Sequence, residues 1–294
     1  MEIRAYRAED AAQLCLIHNQ IYDEALTAVD LHDELLACQN QWVGVLAGNI
    51  IGYTAISPVP GLAHIRVLRG FIAPEYQRQG LGSQLLQHLI EDLKLKTTLH
   101  PIPSATVQLS QCIEDTNSAV YHFLHYHHFT IEHQESHLLY TSPAPFSHPI
   151  APPSLSLKTL PRSQAIQQFI ALYNESFSPH PWYQPYTAAE VAASLLHSRN
   201  LIFLYYQDVP IGFAWIRNLA SGVGEIEPIG LSEKWQGKGY GRFLLQAAMH
   251  NLITHGMTRI HIGTWTTNKP AIHLYYSLGF KPHYTLTYLA FDIA

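Results

Sequence analysis

Apolar residues recur every three or four positions through Leu85, Leu86, Leu89, Ile90 and Leu93, and again through Phe243, Leu244, Ala247, Ala248 and Leu252. Each set lays one apolar stripe along a helix, so an amphipathic helix is predicted in both places. A strand-like apolar run precedes each helix, at 64–72 and 225–231. Further upstream lie two-strand patterns with a central turn. Trp42–Leu46 leads through Ala47-Gly48-Asn49 into Ile50–Ile56, and Leu201–Tyr206 leads through Gln207-Asp208 into Ile211–Ile216. Both turns suit a hairpin. Near each start an apolar helical run ends in asparagine, Leu14–Asn19 and Phe169–Asn174. Strands at 105–109 and 259–264, a short helix and a final strand pair complete each half. This order repeats once, and it predicts an α/β fold with a mixed, mostly antiparallel sheet flanked by helices in each half.

The repeats are separated by Thr141–Ser154, which contains five prolines and no periodicity. Proline at this density disfavours helix and central strand, so the stretch reads as a semi-rigid linker. The expected domains are 1–141 and 155–294, with the linker at 142–154. A chain of 294 residues with 47% hydrophobic content suits two ordinary cores. A net charge of −5 argues against nucleic acid or an anionic membrane as a partner held by bulk electrostatics. No apolar run approaches the ~20 residues of a membrane span, and the start shows no secretory leader, so a cytoplasmic location is expected. Cys15, Cys38 and Cys112 are widely spaced and odd in number, which fits free thiols in a reducing compartment. The chain has 19 histidines, including His122, His125, His127 and His128, against only 13% charged residues. That bias accounts for the cluster, and no metal is expected.

One phrase occurs in both halves: Gln77-Arg78-Gln79-Gly80-Leu81-Gly82 and Gln236-Gly237-Lys238-Gly239-Tyr240-Gly241. A glycine turn feeding a helix start points backbone N–H groups outward at the positive end of the helix dipole, which suits a diphosphate. The glycines also allow close approach and conformations that a Cβ forbids.

The order strand, Gln-x-x-Gly-x-Gly, helix, strand, Asn-led helix and Gly-Phe resembles the GNAT acyltransferase superfamily. The resemblance covers nearly the whole chain as two tandem domains. In the second half it extends to Asn268, Ala271, Leu274, Tyr275, Gly279 and Phe280. The tandem arrangement, with Gly224-Glu-Ile-Glu-Pro-Ile-Gly230 before the loop, is similar to mycothiol synthase-like members. The resemblance implies acetyl-CoA or another acyl-CoA as co-substrate, with no metal. The backbone of Ile229, Gly230 and Leu231 would pair with the pantetheine arm as an added strand. Gln236, Gly237, Lys238, Gly239, Tyr240, Gly241 and Arg242 would cradle the diphosphate, with Asn268 as a helix cap or cofactor contact. In the first half Phe71 and Ile72 before the loop, and Gln77, Arg78, Gln79, Gly80, Leu81, Gly82 and Ser83 in it, stand at the matching cofactor positions.

Acyl transfer to an amine needs a base to neutralise the ammonium and an acid to protonate the departing thiolate. Glu225, eleven residues before Gln236, stands at the family's general-base register. Glu227 lies two residues on, on the same strand face, where each carboxylate can raise the other's pKa. Tyr275 matches the family's general acid, with Tyr276 as the fallback if the helix register slips. At the corresponding first-half positions stand Arg66, Leu68, Leu124 and, for Gly279, His128. Base and acid are both missing there, so the first domain is expected to be catalytically degenerate, binding a CoA or serving as structure.

The stiff, aromatic segment Asn174–Tyr186 is placed as an acceptor wall, with Trp215 beneath it and Glu175 as a possible cation contact. The expected activity is therefore N-acyl transfer to the primary amine of a small molecule, by direct attack, in a monomer or homodimer. Transfer to a protein N-terminus or lysine, and a non-catalytic acyl-CoA sensor, remain as alternatives.

Overall fold

The computed structural model describes residues 1–22, 25–99, 106–141, 149–180, 183–220 and 222–293. In chain order the first repeat forms β1 (Glu2–Ala5), α1 (Ala11–Ile21), α2 (Ala28–Leu36), β2 (Gln39–Leu46), β3 (Asn49–Val59), β4 (Leu62–Ile72), α3 (Leu81–Leu99), β5 (Val107–Ile113), α4 (Ala119–Tyr126) and β6 (Thr130–Thr141). The second forms β7 (Leu155–Lys158), α5 (Arg162–Phe177), α6 (Ala188–Ser194), β8 (Leu201–Tyr206), β9 (Val209–Ala220), β10 (Val223–Leu231), α7 (Tyr240–Thr254), β11 (Arg259–Trp265), α8 (Lys269–Ser277) and β12 (Lys281–Ile293).

Local chemistry explains these boundaries twice over. Ala47 and Gly48 take φ of +50° and +83°, the conformation a tight hairpin requires, and Gln207 takes +54° at the matching turn. Thr27 and Asp30 close a capping box on α2, as Thr187 and Glu190 do on α6. Ser118 caps α4 through the Tyr121 amide and Asn268 caps α8 through that of Ala271. The cap of α4 is thus Ser118, one residue after Asn117. His128 and Gly279, aligned by sequence, both end their helices in the left-handed region, at φ +66° and +92°.

The chain divides into two compact units that do not follow its linear order. Unit 1 comprises Met1–Glu132 and Thr287–Ala294, and unit 2 comprises His133–Leu286. The expected boundaries, 1–141 and 155–294, therefore cut the chain differently. The cause is an exchange of final strands. In unit 1 the order is β1-β2-β3-β4-β5 followed by the end of β12, whose Thr287–Ile293 pairs antiparallel with β5. In unit 2 the order is β7-β8-β9-β10-β11 followed by the end of β6, whose Glu135–Thr141 pairs antiparallel with β11. Each repeat ends in one long strand in place of the expected pair. Neither Thr130–Thr141 nor His283–Ile293 carries a glycine or asparagine that would turn the chain. Residues 142–148 of the expected linker lie outside the described residues.

Strand alternation divides each core between two sheet faces. In unit 2, Leu201, Phe203, Phe213 and Trp215 pack with Phe169 and Leu172 of α5. Ile202, Leu204, Ala214 and Ile216 face α7 and α8 instead, with Leu138 of β6. Unit 1 repeats the plan, and Leu289 and Ile293 of β12 join Leu86, Leu89, Leu109, Leu124 and Phe129 in its second cluster. Cys15 and Cys38 are buried and Cys112 is half-buried.

Candidate active site

β10 pairs with β9 on one side as far as Ile226↔Ile216, then resumes at Ile229↔Ala214. Glu227 and Pro228 thus oppose the single residue Trp215, a β-bulge. On the other side β10 runs parallel to β11 only through Val223–Glu225, opposite Arg259–His261. Beyond Glu225, no β10 residue pairs with β11 among the described residues. The two strands diverge, and the main chain of Ile229, Gly230 and Leu231 has no ladder partner on the β11 side among the described residues. Gly230 is needed for packing: a Cβ there would lie 2.9 Å from Cε2 of Phe177 at the end of α5.

The loop after β10 is exposed and open. Gly237 and Gly239 take φ of +73° and +81°, and a Cβ at either would meet nothing within 4 Å. Among the described residues no backbone hydrogen bond uses the amides of Gly237, Lys238, Gly239, Tyr240 or Gly241. These donors, at the start of α7, fit an anion. Gln236 has a structural task, its Nε2 donating 3.0 Å to the Leu231 carbonyl that ends β10. Lys238 Nζ sits 4.8 Å over the Trp235 ring, and Arg242 donates 2.6 Å to Ser277 Oγ. Asn268 spends its side-chain oxygen on the α8 cap.

The first-half loop matches closely. Arg78 and Gly80 take φ of +57° and +77°, Gln77 Nε2 donates 2.9 Å to the Ile72 carbonyl, and the amides of Arg78 through Ser83 donate no backbone hydrogen bond among the described residues. The ring of Phe71 packs edge-on against Tyr53, 4.8 Å between centroids.

The two carboxylates of β10 have different surroundings. Glu225 Oε2 lies 3.1 Å from Arg217 Nε across the β9–β10 ladder, and that pair is partly exposed. Arg217 also donates 2.8 Å to the Glu227 carbonyl. The Glu227 side chain is likewise half-buried, but it faces Gly263 and His137 and not the Arg217 guanidinium. Burial pushes its carboxyl above the usual range, the Glu225 charge adds to that, and His137 opposes it. Tyr275 of α8 is 5% exposed, and burial, with a further contribution from Glu227, raises its phenol well above the ordinary value. Tyr276 points outward at 47% exposure, which removes it as the alternative inside the site. Burial likewise raises Tyr173 and Tyr186, each with a smaller contribution from Glu227. Glu227 is therefore the charge that three tyrosines from three segments share.

The described part of the Asn174–Tyr186 segment forms an aromatic wall beside it. Tyr173 lies 5.8 Å from Tyr183 and 4.8 Å from Tyr186, and Tyr183 donates 2.6 Å to Asn174 Oδ1. His180 and Trp265 face each other at 4.7 Å. Trp215 is buried beneath, edge-on to Phe169, while Pro181 and Trp182 lie outside the described residues. Glu175 is paired at 3.8 Å with Lys234 near the surface. Sequence reasoning missed Arg217, Tyr173, Glu135 and His137. The last two precede the linker, and their only signal was the alternation His133-x-Glu135-x-His137 on one strand.

The profile of the Acetyltransferase (GNAT) family matches residues 11–124 and again 166–280. The chain belongs to this family. The mycothiol acetyltransferase of Corynebacterium efficiens is 27% identical over 143 residues, 47% of this chain and 48% of that protein. The match therefore spans about half the length of that relative. The mycothiol acetyltransferase of Thermomonospora curvata is 24% identical over 241 residues, covering 79% of this chain and 76% of that one. Among solved structures, a GCN5-related N-acetyltransferase from Sphaerobacter thermophilus superposes with a TM-score of 0.70 at 18% identity, over 99% of this chain and 95% of the other. A tandem GNAT protein from the clavulanic acid biosynthesis pathway gives 0.61 at 14% identity, over 100% and 98%. These two likenesses bear on the fold: a GNAT tandem. No helix among the described residues is long and apolar enough to cross a membrane, and no group of three or more of their His, Cys, Asp and Glu side chains could hold a metal ion.

Proposed function

We propose that the chain transfers an acetyl group from acetyl-CoA to the primary amine of a small molecule, with its active site in unit 2. The observation that carries this reading is the placing of Glu227: a half-buried carboxylate of raised pKa beside the strand opening, sharing its field with Tyr275. Amides of Gly237–Gly241 would hold the diphosphate, and the unpaired side of Ile229–Leu231 would hold the pantetheine arm.

Glu227, as carboxylate, takes a proton from the acceptor ammonium, which frees the nitrogen lone pair. The nitrogen then bonds to the thioester carbon and the C–S bond breaks. Tyr275, kept protonated by burial, gives its proton to the departing thiolate, and its phenolate then takes the extra proton from the newly bonded nitrogen, leaving a neutral amide, a free thiol and a protonated Glu227. Glu225 serves this scheme indirectly, fixing Arg217 against the Glu227 carbonyl. Carboxylates facing an aromatic wall favour a small cationic acceptor, which such a wall can desolvate. The name shared by the curated relatives makes mycothiol acetylation the first reaction to assay.

Thiol release from acetyl-CoA over a panel of amines tests the assignment. Glu227→Gln and Tyr275→Phe should each depress turnover, and Glu225→Gln should do so less. Full turnover by both of the first two would refute the site. A protein acceptor would instead show as activity on peptides with none on small amines.

A further inference from the structure

Unit 2 contains a histidine that the reaction above does not use and that stands beside its base. His137 lies on β6 directly opposite Gly263 of β11. A Cβ built on Gly263 would come 3.0 Å from Glu227 Oε2 and 3.1 Å from His137 Cε1. The missing side chain of Gly263 is thus the space into which both the carboxylate and the imidazole fit. Gly263 has no left-handed φ to explain it, so this shared space is its structural reason.

The imidazole is held rather than loosely placed. Its ring stacks on Tyr284 of β12 at 4.5 Å between centroids, with planes 8° apart. Its Nε2 lies 3.7 Å from Glu135 Oε2, an ion-pair distance too long for a hydrogen bond. Two fixed neighbours, one on each side, leave the ring few alternative rotamers.

Resting on the reading of Glu227 as base, we propose that His137 is a positioning residue whose positive charge keeps Glu227 ionisable at neutral pH. The titratable groups around His137 make that charge available. Glu135 of its own strand, and Glu227 and Glu225 from β10, all raise the imidazole pKa, while burial opposes them. His261 of β11 is a basic neighbour; it is itself lowered by burial and then by His283. Tyr284 of β12 is the titratable group stacked on its ring. Glu227, in turn, is surrounded by Glu225 and Glu135, which disfavour its ionisation, and by His137 and Arg217, which favour it. With His137 charged, Glu227 ionises at a lower pH than burial alone would permit. As pH rises through the His137 pKa that help fades.

The test follows the Glu227 carboxyl by carbon-13 NMR in wild type, His137→Gln and His137→Arg, together with the pH profile of kcat/KM. In His137→Gln the Glu227 midpoint should rise by about one pH unit, and the acid limb of kcat/KM should rise with it. CoA affinity should not change, and kcat should recover at high pH. Arginine keeps the charge and can stack on Tyr284, so His137→Arg should restore both midpoints. Gly263→Ala, which wedges a methyl between the two groups, should move the midpoint in the same sense as His137→Gln. A Glu227 midpoint unmoved in a folded His137→Gln protein overturns the proposal, as does an equal shift in His137→Arg. The NMR readout needs no turnover. A shifted midpoint in a protein that acetylates no amine would uphold the role of His137 and sink the catalytic reading of the site.

Discussion

The two units share a backbone and differ in what they place on it. Gln77 and Gln236 tie down the same strand-end carbonyl, and the turns at Gly80 and Gly239 have φ values of +77° and +81°. At the chemical positions the match ends. Counting back from each loop, Arg66 and Leu68 replace Glu225 and Glu227, and the parallel ladders put Gln111 where unit 2 has Gly263. Opposite Gln111 stands Leu289, where unit 2 has His137 opposite Gly263. Leu68, Leu124 and Leu289 all belong to one apolar cluster. β4 also pairs with β3 without interruption from Arg66 to Ile72, so unit 1 lacks the bulge. A phosphate-binding turn depends on backbone conformation and survives as long as its glycines do. A site of buried charges can be replaced by leucines, which are easier to bury. At these positions unit 1 has an ordinary apolar core.

Paired substitutions would break that comparison most directly. Glu227→Gln should lower kcat/KM by about 100-fold or more, while Leu68→Ala at the matched position should leave it unchanged in steady-state assays and lower only the melting temperature. Loss of turnover in both would mean that unit 1 takes part in the chemistry. Next in size is an ion pair within unit 1. Asp10, 2% exposed, receives two hydrogen bonds from Arg4, at 2.7 and 2.8 Å, and one from the Arg7 amide. Burial by itself would raise its pKa, but these bonds outweigh burial and hold it below the ordinary value. Its contribution is thus present above the unfolded-state pKa and lost as pH falls through the lowered one. Asp10→Ala should cost about 3 kcal/mol at neutral pH, and the gap from wild type in denaturant titrations should close in acid.

Calorimetry would sharpen the comparison of the loops. Their unspent amides predict two CoA equivalents per chain, with Gly239→Val and Gly80→Val each removing one. A single equivalent abolished by Gly239→Val would make the first loop purely structural. The smallest effect concerns stability at the site. Because Glu227 has a raised pKa in the fold, its contribution is complete below the unfolded-state pKa and declines as pH rises through the folded one. Glu227→Gln should therefore raise the melting temperature by about 2–4 °C above neutral pH, and by less in acid. No gain at any pH would place the carboxylate in better solvent than the geometry indicates.

What the sequence disclosed was local. Hairpin turns, glycine loops and amphipathic stripes are fixed by residues within a few positions of one another, and all were legible. The partner of a final strand is a long-range choice. The sequence of β6 runs through six polar residues, Glu132–His137, into Leu138-Leu139-Tyr140, a pattern that names neither β5 nor β11 as its neighbour, so the exchange left no local mark. His137 was hidden for that reason, since it belongs to the repeat that precedes the linker. The different surroundings of Glu225 and Glu227 depend on the bulge, for which Pro228 inside a strand was the available signal.

The strand exchange changes what β12 does for the molecule. Thr287–Ile293 supplies the outer strand beside β5 and contributes Leu289 and Ile293 to the interior of unit 1. Trimming that segment, by protease or by a premature stop codon, would strike the half encoded first and spare the adjoining one. The first repeat, emerging early from a ribosome, must wait for the codons of β12 before its sheet is whole.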